Sequence, residues 1–305
     1  MSIKTEARRA VTNAVTIAPD RGESGRSRRA ARRPLVGSAV LIFGAIYCLV
    51  PVLWVLVAST KSNSELFTTF TFLPGTGLAE NFSDLFSYGG GVFGLWAMNS
   101  LIFAGFGALL STLISTMAGY ALAKFQFPGR QVWFYTILAG VLLPGITLAI
   151  PQYLLMSKIG LAGTYWSVLL PCLISPFGIF LARVYAASAI PSEMMEAARI
   201  DGAGDARVFT SIALPMMVPG MVTIFLLQFV GIWNNFLLPF IMLSDEAKYP
   251  LTVGLYTLLS KGSGTPSLYS LAIIGAAVSI IPLIIMMLVL QRYWRLDLVS
   301  GGLKG

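Results

Sequence analysis

Residues 34–60 read PLVGSAVLIFGAIYCLVPVLWVLVAST, a stretch without a single Asp, Glu, Lys or Arg. Within it, residues 40–57 are apolar on every side instead of alternating between apolar and polar, which favours a helix over the strand of a membrane barrel. A helix needs roughly 20 consecutive apolar residues to cross the hydrocarbon core of a bilayer. The stretch therefore predicts a membrane-spanning helix.

Five more runs of this kind follow along the chain, and every charged residue lies between or outside the six runs. They cover residues 85–123, 131–157, 159–182, 208–244 and 262–291. Only 11% of the 305 residues are charged and 56% are hydrophobic, whereas a soluble domain has about 25% charged residues. The sequence therefore predicts an all-α membrane protein with six transmembrane helices and excludes a water-soluble fold.

The positive charges indicate the orientation of the chain in the membrane. Lys and Arg accumulate on the cytoplasmic side of membrane proteins, close to the ends of the spans. They are densest before the first run, in the cluster Arg26, Arg28, Arg29, Arg32 and Arg33. We expect both termini in the cytoplasm, residues 1–33 as a disordered basic tail and residues 34–305 as the six-helix domain. Anionic lipid suits the cluster, and nucleic acid is not needed to explain it.

Several kinds of catalytic chemistry are missing from this sequence. The chain has no histidine, which removes histidine general bases and most zinc sites. Its cysteines, Cys48 and Cys172, match no metal-binding spacing. No G-x-x-x-x-G-K-S/T phosphate loop occurs, and the runs hold no carboxylate that could relay protons. We therefore expect no catalytic residue, metal or cofactor in this chain, and active transport would need energy from another chain.

The segment between the fourth and fifth runs has the pattern of a helix, a turn and a second helix. From Ser192 onward it reads SEMMEAARIDGAGD. Either Pro191 takes the first position of the helix, or Ser192 caps the helix one residue later. Gly202 can adopt the left-handed conformation that ends it. Asp205 can then cap the second helix, with Pro215 near its end.

One face of the first of these helices is small and apolar. Met194, Ala197 and Ala198 share it at helical spacing. Alanine allows close approach and methionine adapts to the shape of a groove, so the face suits a partner protein. Packing against the chain's own transmembrane helices suits it equally well, and the sequence leaves both interpretations open.

The same segment resembles the Glu-Ala-Ala loop of ABC importer permeases. The resemblance rests on Glu196-Ala197-Ala198, then Asp201-Gly202-Ala203, then Ile212-x-Leu214-Pro215, at the spacing of that family. In that family the loop, here residues 186–215, carries the coupling helix that docks in a cleft of the ATPase subunit. The residues that the resemblance assigns to this contact are Met194, Glu196, Ala197, Ala198, Asp201 and Gly202.

Further segments resemble the carbohydrate-uptake branch of these importers, the maltose-permease-like group. They are Asn99-Ser100, AGYALAKFxFPGR at residues 118–130, WNNFLxP at residues 233–239, LTVGL at residues 251–255 and the terminal GGLKG. The sequence shows no large insertion that would form a domain outside the membrane. In this respect it resembles the smaller of the two permease partners. The resemblance implies the type I ABC importer permease fold and a binding-protein-dependent inner membrane component.

Such importers combine two permeases with an ATPase dimer and an extracytoplasmic sugar-binding protein in the cell membrane of a prokaryote. The resemblance thus implies a permease subunit for a mono- or oligosaccharide, surrounded by membrane lipid and without nucleic acid. The partner ATPase would bind ATP and Mg²⁺, so this chain would be a non-catalytic subunit without a cofactor of its own.

The candidate substrate contacts are Trp233, Asn234 and Asn235, in the second half of the fifth run. Amides can bind sugar hydroxyls, and an aromatic face can cover the apolar side of a sugar ring. Hydrogen bonding between helices is the alternative role for these amides. The alternative function is a six-helix channel or another membrane protein without an ATPase, although the sequence shows no charged ring or filter loop.

Overall fold

The computed structural model describes residues 32–302, and within this part every regular element is a helix. The predicted tail, residues 1–33, lies outside the described residues except for Arg32 and Arg33, which begin the first helix. The helices are α1 (Arg32–Ala58), α2 (Asn63–Thr68), α3 (Leu78–Ser87), α4 (Val92–Leu101), α5 (Gly107–Lys124), α6 (Arg130–Val141), α7 (Gly145–Lys158), α8 (Tyr165–Leu173), α9 (Pro176–Ala189), α10 (Ser192–Ile200), α11 (Asp205–Val208), α12 (Leu214–Trp233), α13 (Leu237–Met242), α14 (Leu251–Gly262) and α15 (Ser267–Gly302).

Several of these helices are continuous with one another and form longer apolar stretches. Five stretches are long and apolar enough to cross a membrane, namely Val36–Ala58, Val92–Lys124, Tyr165–Ala189, Asp205–Trp233 and Ser267–Gln291. A sixth span results if α6 and α7, which meet at a bend of 104°, are counted together. The structure thus agrees with the six predicted spans when the bent pair counts as one.

The chain divides into two compact units, Met1–Trp54 and Val55–Gly305. The described part of the first unit is one helix, α1 up to Trp54. In the second unit α5 and α9 cross closely, because Gly119 on α5 has no side chain. A methyl group on Gly119 would meet Ala182 and would lie 2.6 Å from the backbone nitrogen of Arg183. Small residues allow this kind of close approach between membrane helices.

Asn99 on α4 joins three elements of the second unit. Its amide nitrogen donates to two backbone carbonyl oxygens in the loop before α14, at 2.8 and 3.0 Å. Its amide oxygen accepts a 2.7 Å hydrogen bond from the Tyr165 hydroxyl on α8. Ser100 accepts a 2.7 Å hydrogen bond from the backbone nitrogen of Leu251, the first residue of α14. The Asn99-Ser100 pair therefore fixes the loop before α14 to α4 and α8.

Two of the apolar runs are longer than the spans that they contain. In the run 85–123 the span begins only at Val92, after a turn in which Gly89, Gly90 and Gly91 all have positive φ. In the run 208–244 the long helix ends at Trp233, and residues 234–236 interrupt it before α13. The absence of charge shows how long an apolar segment is, but not where a helix inside it ends.

Pro215 lies inside the fifth span, so the prediction that it sits near the end of a short second helix is wrong. It is the second residue of α12, directly after the π-turn Phe209–Ala213. A π-turn changes the hydrogen-bond pattern locally, so the missing N–H of a proline directly after it is more easily tolerated. The helix therefore continues past the proline, and the second helix of the hairpin is the beginning of the span Asp205–Trp233.

Candidate functional sites

Helix α10 begins between the two positions that the sequence suggested. Its first residue is Ser192, whose side chain makes no capping hydrogen bond, and Pro191 precedes it in an extended conformation with φ −64° and ψ 140°. Neither Pro191 as the first residue nor Ser192 as the cap is therefore correct. The fixed φ of proline suits the residue before a helix as well as the first residue inside it.

The end of α10 has the left-handed glycine that the sequence predicted. Gly202 has φ +81°. Its backbone nitrogen donates to Arg199 at 3.0 Å, and the nitrogen of Ala203 donates to Ala198 at 2.9 Å. These are the two hydrogen bonds of a Schellman motif, in which only glycine adopts the required φ without strain. Gly202 therefore makes the sharp turn that presents α10.

Asp205 does not cap the second helix, contrary to the prediction. Gly204 occupies the position before the helix, and Asp205 is its first residue. The Asp205 carboxylate instead accepts a 2.9 Å hydrogen bond from the Arg199 guanidinium in α10. An acidic group at this position still favours the positive end of the helix. Because both side chains are largely exposed, the pair contributes little to stability.

One side of α10 packs against the rest of the second unit. Met195 is buried in a cluster, here called the hairpin cluster, with Tyr120 from α5, Ile190 and Val208. Ala198 is partly buried against the same cluster. The Lys124 ammonium at the end of α5 donates a 2.6 Å hydrogen bond to the carbonyl oxygen of Ile190, just before α10. These contacts fix α10 firmly to α5 and to the start of the fifth span.

The opposite side of α10 is open. Met194, Glu196 and Ala197 are exposed, and so are Asp201 and Gly202 at the turn. The predicted shared face of Met194, Ala197 and Ala198 is therefore divided, because Ala198 belongs to the inner side. The inner side packs on the chain itself, and the outer side is free in the described structure, so the contact with a partner protein stays a prediction.

Ile200 is a residue of this outer side that the sequence reasoning missed. Its side chain is 86% exposed, the largest exposure among the large hydrophobic residues of the described part of the chain. It follows Ala197 by three residues and Glu196 by four, so the three lie together on the helix surface. The sequence could have indicated this residue, because an isoleucine four residues after Glu196 lies on the same helix side as Glu196. Together with the exposed Met194 and Ala197 it gives the outer side of α10 a small apolar surface.

A second feature is a cavity of about 540 Å³ at three helix interruptions. Residues 142–144 separate α6 from α7, residues 174–175 separate α8 from α9, and residues 234–236 separate α12 from α13. The cavity is lined by Gly145, Ile146, Leu148, Ala149, Gln152, Pro171, Cys172, Gly231, Asn234, Asn235, Phe236, Leu237 and Leu238. Irregular backbone at membrane depth is tolerated where protein buries it or where it lines a watery cavity. Residues 234–236 line the cavity themselves, and the other two interruptions lie close to lining residues in the sequence, so a mostly apolar cavity with three amide side chains lies beside interrupted helices.

The structure places two of the three candidate substrate contacts at this cavity. Asn234 is exposed, and its amide nitrogen donates to the carbonyl oxygen of Val230 at 2.9 Å. The side-chain oxygen of Asn235 accepts a 3.3 Å hydrogen bond from the Leu238 nitrogen, at the start of α13. Both amides therefore stabilise the interruption and keep further hydrogen-bonding capacity.

Trp233, the third candidate, lies elsewhere. It is only 4% exposed and belongs to the apolar core. Its ring stacks on Phe229, one turn earlier in α12, with the centroids 5.7 Å apart. Trp233 is not among the residues that line the cavity. In this structure it anchors the end of α12 beside the cavity.

The fold and the two sites are those of a helical membrane subunit of a transporter. Residues 30–295 match the family described as binding-protein-dependent transport system inner membrane component, and the chain belongs to this family. It is 35% identical to the arabinooligosaccharides transport system permease protein AraQ of Halalkalibacterium halodurans, over 88% of this chain and 95% of that protein. It is 32% identical to the diacetylchitobiose uptake system permease protein NgcG of Streptomyces coelicolor, over 84% of each chain.

A third relative is the sn-glycerol-3-phosphate transport system permease protein UgpE of Yersinia pestis, 30% identical over 86% of this chain and 94% of that one. Among solved structures, the chain resembles a bacterial ABC transporter involved in the import of the acidic polysaccharide alginate. The TM-score is 0.75 at 26% identity, covering 88% of this chain and 98% of the other.

Family membership decides between the two functions that the sequence left open. The chain is a multi-pass membrane component of a binding-protein-dependent ABC transport system. It is a transport permease like its relatives, and thus a non-catalytic subunit. A six-helix channel without an ATPase does not agree with this membership.

Proposed function

We propose that the chain is the smaller permease subunit of an ATP-driven carbohydrate importer in a prokaryotic cell membrane. Together with a second permease it forms the path for a mono- or oligosaccharide that an extracytoplasmic binding protein delivers. A partner ATPase dimer binds ATP and Mg²⁺, and this chain needs no cofactor. The relatives that import arabinooligosaccharides and diacetylchitobiose support a saccharide as substrate.

The observation that carries the proposal is the two-sided helix α10. Its outer side offers Ala197 and Ile200 to an apolar groove, with Glu196 beside them as a charged contact for a basic residue of the ATPase. Met194 and Asp201 flank this surface, and Gly202 sets its angle. Short apolar anchors within a charged rim are typical of a helix that docks in a groove.

The inner side of α10 supports a route by which movement of the ATPase would reach the membrane. Met195 and Ala198 pack into the hairpin cluster, which includes Val208 at the start of the fifth span. That span, Asp205–Trp233, has 29 residues, which corresponds to about 43 Å at 1.5 Å per residue. Its far end lies beside the cavity. A displacement of α10 can therefore be transmitted along this continuous helical span to the interruption at residues 234–236.

The cavity is the proposed part of the translocation path in this chain. Asn234 and Asn235 present amides toward sugar hydroxyls, while Trp233 holds the helix end on which they sit. A path that switches between two sides needs segments that bend, and interrupted helices surround substrate sites in many transporters. The three interruptions at one cavity provide such segments.

The proposed orientation places both termini and α10 in the cytoplasm, because Lys and Arg are concentrated on that side. The domain organisation follows, with residues 1–33 as a basic cytoplasmic tail, residues 34–305 as the permease domain and residues 186–215 as the coupling loop. The tail faces anionic lipid headgroups, and its charge anchors the first helix in this orientation.

The test is copurification of the ATPase with variants of the outer side of α10. Ala197→Arg and Ile200→Asp place charge in the apolar contact, so we expect each to reduce the recovered ATPase at least tenfold. Ala79→Arg is the matched control, because Ala79 is also an exposed helical alanine and lies in α3, outside the loop 186–215.

Two results would oppose this proposal. Full recovery of the ATPase with both Ala197→Arg and Ile200→Asp would show that α10 does not dock it. Loss of the ATPase with Ala79→Arg to the same extent would show that the effect is a general loss of folding. Unchanged yield and thermal stability of each purified variant should accompany the specific loss.

A further inference from the structure

The electrostatic character of the cavity follows from its lining residues. Among its described lining residues there is no Asp, Glu, Lys or Arg. Its polar side chains are the amides of Gln152, Asn234 and Asn235. Within the described part of the chain the Gln152 amide makes no hydrogen bond, and the Asn235 amide nitrogen donates none. The cavity therefore offers free neutral donors and acceptors.

Such a lining discriminates between neutral and charged solutes. An anion that leaves water for a low-dielectric site loses hydration, and only a nearby positive charge compensates that loss well. Amides can satisfy hydroxyl groups but supply no net charge. The same site therefore accepts an uncharged polyol readily and disfavours a phosphate ester or a uronate.

An aromatic wall stands directly beside these amides. Phe236 lines the cavity, and its ring lies 5.1 Å from that of Phe240 and 4.9 Å from that of Tyr256, measured between centroids. Phe240 and Tyr256 are also in contact, with centroids 5.5 Å apart. Phe240 is 46% exposed and Tyr256 45% exposed. Of the three rings in mutual contact, Phe236 lines the cavity, and Phe240 and Tyr256 extend the aromatic surface outward from Phe236.

The wall is held in place by the interruption itself. The Thr252 hydroxyl on α14 donates a 2.9 Å hydrogen bond to the backbone carbonyl oxygen of Asn235. Tyr256 follows Thr252 by one helical turn, so both side chains lie on the side of α14 that faces residues 234–236. The Tyr256 hydroxyl forms no hydrogen bond with any described residue. It is available to a ligand at the edge of the wall.

We propose that this cavity with the wall of Phe236, Phe240 and Tyr256 selects an uncharged saccharide whose ring stacks on the aromatic surface. The inference rests on the proposed function and specifies its substrate class. The hydroxyl edge of a neutral sugar ring matches the amides, and its C–H face matches the aromatic rings. A solute without a ring, such as sn-glycerol 3-phosphate, fits neither the wall nor the neutral lining.

The test is ATP-dependent uptake by the assembled importer, with its own binding protein, in proteoliposomes. The neutral probes are arabinotriose, diacetylchitobiose and maltotriose, and the anionic probes are sn-glycerol 3-phosphate and an alginate trisaccharide. We expect uptake of at least one neutral probe and none of the anionic ones. Preferential uptake of an anionic probe over the neutral probes would overturn the inference. The proposed function as an ATP-driven importer would still hold.

Variants of the wall test its role separately from the charge of the cavity. Phe240→Leu and Tyr256→Leu should each lower the sugar transported per ATP hydrolysed about three- to tenfold, since an aromatic contact is lost. Tyr256→Phe keeps the ring but removes the hydroxyl, so its loss should be smaller than that of Tyr256→Leu. Phe177→Leu is the control, because Phe177 is also 46% exposed and stacks on Phe180, in a ring pair that does not include the cavity-lining Phe236.

The role of the wall would be overturned if the amount of sugar transported per ATP hydrolysed were the same in the wild type, Phe240→Leu and Tyr256→Leu. An equal loss in Phe177→Leu would do the same, because the effect would then not be specific to the cavity. If the purified complex contains no ATPase, the proposed function fails and the inference fails with it. Each of these failures is recognisable from the composition of the complex and from the identity of the transported probe.

Discussion

Two glycines in the turn after α10 differ in what they contribute. Gly202 has φ +81° and no atom within 4 Å of the position where a side chain would begin. Glycine is therefore required at this position by the backbone conformation and not by crowding from neighbouring atoms. Gly204, two residues later, has φ −70° and ψ 160°, which any residue adopts. It too has open space around it.

Gly202→Ala should therefore weaken the hairpin, whereas Gly204→Ala should not. A non-glycine residue in the left-handed conformation costs about 1–2 kcal/mol, and we expect this loss in the stability of the turn together with lower recovery of the ATPase. The measurement is proteolysis of the turn and copurification for the two variants side by side. Equal behaviour of the two alanine variants would show that the left-handed turn does not matter for docking.

A second single-residue prediction concerns the exposed loop before α14. The backbone nitrogen of Ala247, and then the Lys248 ammonium, hold the pKa of Asp245 below its usual value of 3.8. Because the folded state lowers this pKa, the contribution to local stability is present above about pH 4 and is lost as the pH falls through the lowered value. Since the Asp245 side chain is 51% exposed, the effect is small and local.

Amide hydrogen exchange at Ala247 measures this effect, with Asp245→Asn as the reference at each pH. We expect more protection in the wild type at pH 7, and no difference from Asp245→Asn once Asp245 is protonated. A difference that persists at low pH would mean that the carboxylate charge is not what orders the loop.

At the scale of single residues the sequence pattern indicated Gly202 correctly, but not Ile200 or the site of Trp233. The left-handed glycine follows from local chemistry, which adjacent residues determine. The exposure of Ile200 and the burial of Trp233 depend on which side of a helix meets the rest of the chain. The pattern of polar and apolar residues in a short helix does not determine which side of the helix packs on the rest of the chain.

Among the elements, the loop between α13 and α14 is the one whose position depends most on a single side chain. Asn99 makes three hydrogen bonds that connect α4, this loop and Tyr165 on α8. Asn99 is 3% exposed, so water does not readily replace these partners. The loop is adjacent to α14, which carries Thr252 and Tyr256 toward the cavity.

Asn99→Ala should lower the unfolding free energy by about 3 kcal/mol, because a buried polar group without a partner costs about 1–3 kcal/mol. Tyr165→Phe removes only one of the three hydrogen bonds and should cost about 1 kcal/mol. Thermal unfolding in detergent compares the two. If Tyr165→Phe were as destabilising as Asn99→Ala, the loop contacts of Asn99 would contribute nothing.

The sequence predicted the number of spans but not the interruptions within them. Charge-free length locates an apolar segment, and a pair of helices bent by 104° occupies the same length of sequence as a straight helix. Pro144 and Pro176 lie at two of the interruptions, but other prolines lie inside helices, so proline alone does not decide. The interruption at residues 234–236 has neither glycine nor proline, and one local and one tertiary hydrogen bond stabilise it.

At the scale of the whole molecule, one helix connects the two sites. The span Asp205–Trp233 begins beside α10 and ends at the cavity. The sequence reasoning treated the second helix of the hairpin as separate from this span, because Pro215 is an ordinary stop signal for a helix. The continuous helix explains how a docking event at one end can change the shape of the cavity at the other.

The central claim is that this chain works as a permease driven by a separate ATPase. The most direct measurement is native mass spectrometry of the complex purified in mild detergent from its own membrane. We predict this 32.8 kDa chain together with a second permease and two copies of a P-loop ATPase. Recovery of the chain alone, or as a homo-oligomer without an ATPase, would contradict the account.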